Sequence, residues 1–170
     1  MIVGRLLAGE VVTPGSYHRR TLRVIKDLDT KDILTFNCLC RFVWNIAGSF
    51  MPVVFELENT IYRDQGVDYS GLVHLDDAAL ISFMSVSGIA RVNLPPRVVV
   101  GYAGRLVSVE PKAGSNKLSV GNMNFTEAGQ ELCTLLKSPM VPGLVEYVAQ
   151  KWRGDGQIVE VASSNAPPTA

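Results

Sequence analysis

Residues 97–110 read "RVVVGYAGRLVSVE". Two runs rich in valine flank Ala103-Gly104, a pair suited to reversing the chain. The stretch predicts two antiparallel strands joined by a tight turn. The same grammar extends to either side. "IARVN" (89–93) precedes it across Pro95-Pro96, and "KLSVGNMNF" (117–125) follows it across Lys112–Asn116. "PKAGSN" (111–116) has the composition of a hairpin loop. These spacings predict an antiparallel meander of three or four strands.

Helical patterns surround this apolar block. Downstream, Thr126 is placed to cap a helix over "TEAGQELCTLLK", with Leu132, Leu135 and Leu136 on its buried side. Pro142 suits the first position of another helix, "PGLVEYVAQKWR", in which Leu144, Val148 and Trp152 share one face. "QIVEV" (157–161) adds a last strand. "SSNAPPTA" (163–170) has the composition of a disordered tail.

Upstream, residues 2–12 read as the end of a helix, broken at Pro14-Gly15-Ser16. Ser16 is placed to cap a helix over 17–28. Leu22, Ile25 and Leu28 recur at helical spacing toward a core, and Arg19, Arg23 and Lys26 line another face. Arg23 and Asp27 are spaced to pair at i,i+4. Asp29 or Thr30 caps a third helix over 31–47, apolar around most of its circumference and therefore expected at the centre of the core. "MPVVFEL" and "NTIY" read as short strands and "RDQGVDYSG" as a loop. "LDDAALISFMSVSG" (75–88) reads as a helix with Asp76 as N-cap, Leu75 and Leu80 as the hydrophobic staple, and Gly88 at its C-terminal end. The whole is an α+β chain: N-terminal helices packed on a small, mainly antiparallel sheet, with C-terminal helices. Its length of 170 residues fits one domain over 1–162 followed by the tail.

Composition narrows the function. The net charge is +0, so the chain as a whole has no electrostatic pull toward nucleic acid or anionic membrane. The charge is unevenly spread: residues 1–48 carry a net +3, residues 49–93 a net −4, and residues 94–170 a net +1. The three cysteines, Cys38, Cys40 and Cys133, have no zinc-site spacing and read as reduced, buried thiols of a cytoplasmic protein. The opening lacks a secretory core, and the most apolar stretch is too short to cross a membrane. No cofactor or metal is expected.

The stretch "LLAGEVVTPGSYHRRTLRVIKDLDTKDILTF" (6–36) carries the most specific motifs. They are Leu6-Leu7-Ala8-Gly9-Glu10, then Pro14-Gly15-Ser16-Tyr17, Arg20-Thr21-Leu22, Lys26, Asp32 and Phe36. On these residues the chain resembles a bacterial domain-of-unknown-function family, number 2806, and "FTEAGQEL" resembles a helix start later in that family. The resemblance implies a member whose function is unassigned. Its members carry a Trp and further helix ahead of the first motif, where this chain has only Met1–Arg5. They also tend to have Ser where His18 stands. The resemblance therefore implies a fragment, or a partner that supplies the helix. Ile2, Val3, Leu6 and Leu7 would then need cover, by self-association or by a partner helix. Similar opening motifs in abortive-infection domains suggest a role in phage defence by loose analogy.

Motifs for zinc proteases, P-loops, nucleophile elbows and dinucleotide sites are absent. His18 is flanked by cations and reads as a surface residue. His74 precedes Asp76-Asp77 and reads as structural or solvated. Glu10 reads as a brace to Arg5, Arg19 or Arg20. A hydrolase site near Glu10 or His74 would need partners from distant parts of the chain. Gly9, Glu10, Pro14, Gly15 and Ser16 read as a structural corner. The basic face of Arg19, Arg20, Arg23 and Lys26 is the candidate contact surface. The leading expectation is a non-catalytic interaction or regulatory domain. The alternative is nucleic-acid binding by a winged-helix-like unit made of a helix over 76–87, a hairpin over 105–121 and the helix after Thr126.

Overall fold

The computed structural model describes residues 18–84, 86–136 and 138–162. Its first two helices are α1 (Arg19–Asp27) and α2 (Thr30–Leu39). Asp29 caps α2 as expected: its carboxylate accepts from the Asp32 N–H at 2.8 Å, and the Asp32 carboxylate accepts from the Asp29 N–H at 3.1 Å. This reciprocal pair satisfies two donors that the helix start would otherwise strand.

The long central helix expected over 31–47 is not formed. The chain tightens into a 3-10 turn at Cys40–Phe42 and becomes strand β1 (Val43–Ile46). Trp44 and Ile46 point inward and Asn45 outward. That alternation spans too few residues to stand out from a helical stripe in the sequence. Ala47 and Gly48 follow in left-handed conformation, and the Gly48 N–H donates to Asn45 Oδ1 at 3.0 Å, closing the hairpin to β2 (Ser49–Pro52).

Further corrections follow in chain order. "NTIY" is not a strand. Asn59 Oδ1 accepts from the Ile61 N–H at 3.0 Å and starts the short helix α3 (Thr60–Arg63). The next helix, α4, runs Tyr69–Asp77 and not 75–88. Asp68 is its cap, accepting from the Gly71 N–H at 2.7 Å. Asp76 lies in the last turn of α4, where its carboxylate accepts from the Phe83 N–H at 3.1 Å. Ala79 is left-handed, and strand β3 (Ile81–Phe83) occupies what read as the helix's second half. Gly88 therefore ends no helix. The reason is the β-branched and aromatic run Ile81–Phe83, which pairs into a sheet.

Strand β4 (Ile89–Arg91) precedes the hairpin of β5 (Val98–Tyr102) and β6 (Arg105–Glu110). This hairpin forms as expected, with Tyr102 opposite Arg105 and the turn at Ala103 and Gly104, both left-handed. Strands β7 (Leu118–Gly121) and β8 (Met123–Phe125) follow, then helix α5 (Glu127–Leu135), helix α6 (Leu144–Gly154) and strand β9 (Ile158–Val161). Thr126 caps α5 by accepting from the Gly129 N–H at 3.1 Å. Pro142 lies ahead of α6, whose cap position is the left-handed Gly143. The lead-in to α1 also differs from expectation. His18 stands at the cap position and Arg19 begins the helix. Ser16 lies outside the described residues, as do Ile2, Val3, Leu6, Leu7, Gly9, Glu10, Pro14, Gly15 and the tail 163–170.

The main sheet is antiparallel and five-stranded, in the order β2-β1-β5-β6-β9. The meander expected beyond β6 does not form. β7 pairs with β4, and β8 with β3. The loop 111–116 therefore crosses between sheets and joins no hairpin. β3 and β4 lie along one side of β7–β8. The Met84 N–H donates to the Asn122 carbonyl at 2.7 Å. At Gly121 a third segment joins: the Val54 N–H donates to the Val120 carbonyl at 3.0 Å, and the Asn122 N–H to the Val54 carbonyl at 3.3 Å. Gly121 has φ +102°, and a Cβ there would sit 1.7 Å from the Val54 oxygen. Only glycine allows two backbones so close.

The core gathers all three sheets and the inward faces of the helices. Trp44 stacks on Tyr102 with ring centroids 5.0 Å apart and meets Trp152 edge-on at 5.3 Å. Trp152 in turn donates to the Ser119 carbonyl at 2.8 Å. Each such fully buried side chain contributes roughly 1.5–3 kcal/mol by leaving water. Tyr102 also ties segments together: its hydroxyl donates to the Arg41 carbonyl and accepts from the Val141 N–H, both at 2.8 Å. The fold is thus an α+β mix of six helices and a mainly antiparallel five-stranded sheet with two smaller sheets among the described residues.

Candidate functional site

Helix α1 packs against α5. Thr21 and Ile25 are buried on its inner side, with Val24 and Leu28 packed against the core. Leu22, expected to face the core, is only half-buried, while Thr21, which the apolar pattern passed over, is fully buried. Arg19, Arg20, Arg23 and Lys26 are all exposed. None takes part in the ion pairs found among the described residues, and the expected Arg23–Asp27 pair is not among them.

The start of α1 is pinned to α5 by His18. Its Nδ1 lies 2.5 Å from Glu131 Oε1, and its Nε2 lies 3.5 Å from Glu127 Oε1. The hydrogen bond to Glu131, with the nearby charge of Glu127, raises the imidazole above its ordinary value. Burial alone would raise the Glu131 carboxyl, but the hydrogen bonds and charge of His18 help to hold the group below its ordinary value. In the sequence, the near neighbours of His18 are Arg19 and Arg20. The two carboxylates stand more than a hundred residues downstream, and their only signal was an i,i+4 spacing on one face of α5.

His74 is exposed in the last turn of α4, and Asp76 is turned away to the Phe83 N–H. Glu10 lies outside the described residues. A titratable cluster forms elsewhere, between residues that no sequence motif links. Glu56 pairs with Lys151 Nζ and accepts from the Tyr147 hydroxyl at 3.4 Å, beside a cleft of about 600 Å³. The hydrogen bond from Lys151 holds the Glu56 carboxyl below its usual range. Burial, with Glu56 nearby, pushes the Tyr147 phenol up to about 12. Lysine, carboxylate and phenol therefore satisfy one another, and neither the carboxylate nor the phenol is poised to exchange a proton near neutrality. Tyr147 and Lys151 stand four apart on α6, but nothing in the sequence placed Glu56 against them.

The two buried thiols are also quiet. Burial pushes Cys133 up to about 11 and Cys40 well above its ordinary range, which disfavours the reactive thiolate. Among the described residues, no group of three or more His, Cys, Asp or Glu side chains is arranged to hold a metal ion. None of their helices is long and apolar enough to cross a membrane. The expected winged-helix unit does not form among the described residues: α4 ends at Asp77 and strand β3 follows, and β6 and β7 do not pair into a hairpin.

The described residues define an α+β domain with an exposed basic face on α1. The chain matches the family described as "Protein of unknown function (DUF2806)" over residues 1–149, and it belongs to that family. No curated protein and no solved structure matches it.

Proposed function

We infer that this chain is a non-catalytic interaction or regulatory domain whose contact element is α1, and that its partner presents an acidic protein surface. The observation that carries the reading is the exposed set Arg19, Arg20, Arg23 and Lys26, none of them engaged in the described ion pairs. Elsewhere, cations such as Arg105, Arg97 and Lys151 tie one element to another. A helix braced on α5 and presenting exposed cations is suited to steering and orienting an anionic partner. The hydrophobic residues Ile2, Val3, Leu6 and Leu7 add a second contact, through self-association or a partner helix. A role in phage defence rests on the opening motifs alone.

Nucleic acid is the second reading. Arg19 to Lys26 spans about 10 Å of helix, enough to reach more than one phosphate. The test is fluorescence anisotropy of an oligo-glutamate peptide and of duplex DNA at low salt, with wild type and the Arg19→Ala/Arg20→Ala/Arg23→Ala variant. Peptide binding that the variant loses supports the first reading, and tighter DNA binding with the same loss supports the second. No binding to either probe, or binding indifferent to the substitutions, overturns both.

A further inference from the structure

Outside the α1 face, the loop between β6 and β7 and the C-terminal end of α6 enclose a cleft of about 630 Å³. Lys112, Lys117, Ser115, Ser119, Asp155 and Gln157 contribute to its lining. Gln157 decides its chemistry. The residue is only 9% exposed, and its Oε1 accepts from the Lys112 N–H at 2.6 Å. A backbone nitrogen can only donate, so this contact fixes the amide orientation: oxygen toward Lys112 and the Nε2 donors on the other side. No hydrogen bond from Nε2 is found among the described residues. Nε2 is not one of the buried polar atoms left without a partner, so its donors reach solvent and are open to an acceptor that enters the cleft.

The groups around it favour an anion as that acceptor. Lys112 and Lys117 are exposed and take part in none of the described ion pairs. The stem of Lys112 is held close to Gly156, where a Cβ would lie 3.5 Å from its Cδ. That places the lysine next to Gln157 in space as well as through the backbone bond. Ser115 and Ser119 add hydroxyls. The Ser119 carbonyl is already fixed by Trp152, which anchors that wall to α6. Asp155 is the one carboxylate in the lining. It repels a bare anion from its own side of the cleft but accepts well from sugar hydroxyls. A volume of this size exceeds that of a phosphate ion and suits a small organic molecule.

The geometry points to a binding site for a small phosphate monoester on a hydroxylated carrier, of the sugar-phosphate class. Lys112, Lys117 and Gln157 Nε2 receive the phosphate, and Asp155 receives a hydroxyl of the carrier. Charge-assisted contacts to two lysines give the affinity, and the carboxylate selects the carrier over the free ion.

The test is titration of the full chain with ribose 5-phosphate, inorganic phosphate and ribose, followed by NMR of backbone amides and of the Gln157 side-chain amide. Ribose 5-phosphate is expected to shift the Gln157 Nε2 resonances and the amides of Lys112–Lys117. It should bind at least tenfold more tightly than inorganic phosphate, and ribose alone should have no effect. Gln157→Glu keeps an acceptor for the Lys112 N–H but turns a negative charge into the cleft, and it is expected to abolish binding. Because Gln157 is buried, the exposed pair Lys112→Gln/Lys117→Gln is the second variant, expected to weaken binding by about a hundredfold. The proposal is overturned if ribose 5-phosphate produces no shift at these sites at about 10 mM. It is equally overturned if inorganic phosphate binds as well, or if the double lysine variant binds like wild type.

Discussion

Gly121→Ala is the sharpest probe of how the fold is held together. Gly121 is where the Val54 segment, β4 and β7 come together. Its φ of +102° disfavours any side chain, and the added methyl would lie 1.7 Å from the Val54 oxygen. Placing Ala in the left-handed region costs about 1–2 kcal/mol. Overpacking against a backbone that cannot swing aside adds about 1–3 kcal/mol. Relief of the clash must break the Val54–Val120 and Asn122–Val54 backbone bonds, at about 1 kcal/mol each. The overlap and the broken bonds are partly alternatives, so the expected loss is about 3–5 kcal/mol. That is a large share of the roughly 5–15 kcal/mol that stabilises an ordinary domain. Gly104→Ala is the internal control. Its φ is +84°, but a Cβ there meets nothing within 4 Å, so only the conformational cost of about 1–2 kcal/mol applies. Urea unfolding of both variants, compared at equal m-value, measures the difference. Equal losses in the two variants would refute the close backbone contact at Gly121.

Other perturbations test separate joints. Tyr102→Phe removes the hydroxyl that bridges the Arg41 carbonyl and the Val141 N–H, and a loss of about 2–3 kcal/mol in urea unfolding is expected from leaving both without that partner. Asp68→Ala removes the α4 cap and should cost about 1 kcal/mol, with faster amide exchange in Gly71 and Leu72. The His18–Glu131 contact makes the α1–α5 junction sensitive to pH. The raised His18 value means its contribution is complete below its ordinary 6.5 and fades as pH rises through the raised folded value. The lowered Glu131 value means its contribution is present above 4.5 and fades as pH falls through the lowered folded value. Amide exchange in α1 should therefore be slowest in mildly acidic solution and faster at alkaline pH, beyond the intrinsic pH dependence of exchange. His18→Ala should remove that excess, and an unchanged profile in the variant would contradict the contact.

Where local chemistry decided the structure, the sequence was readable. The Ala103-Gly104 turn, the Asp29 and Thr126 caps and the buried face of Leu144, Val148 and Trp152 all follow from residue types acting on near neighbours. Where two readings shared a pattern, tertiary partners chose between them. Trp44 and Ile46 fit a helical stripe as well as a strand, and pairing with β2 and β5 made them a strand. Ile81–Phe83 followed a good helix and became a strand because β8 was there to receive it. The meander failed for a related reason: β6 is flanked by β5 and β9, which leaves β7 to pair with β4. The basic face of α1 was legible because it lies within one helix. The His18–Glu131 brace, the Glu56–Tyr147–Lys151 cluster and the Gln157 cleft unite residues far apart in the chain, and no spacing rule could assemble them.

The role assigned to α1 is tested most directly by mapping contact on the protein itself. An oligo-glutamate peptide titrated into isotope-labelled protein at low salt should perturb the backbone amides of Arg19, Arg20, Arg23 and Lys26 first and most, and added salt should reverse the shifts. Perturbations elsewhere with α1 silent, or shifts at α1 that resist salt, would contradict an interaction built on that face.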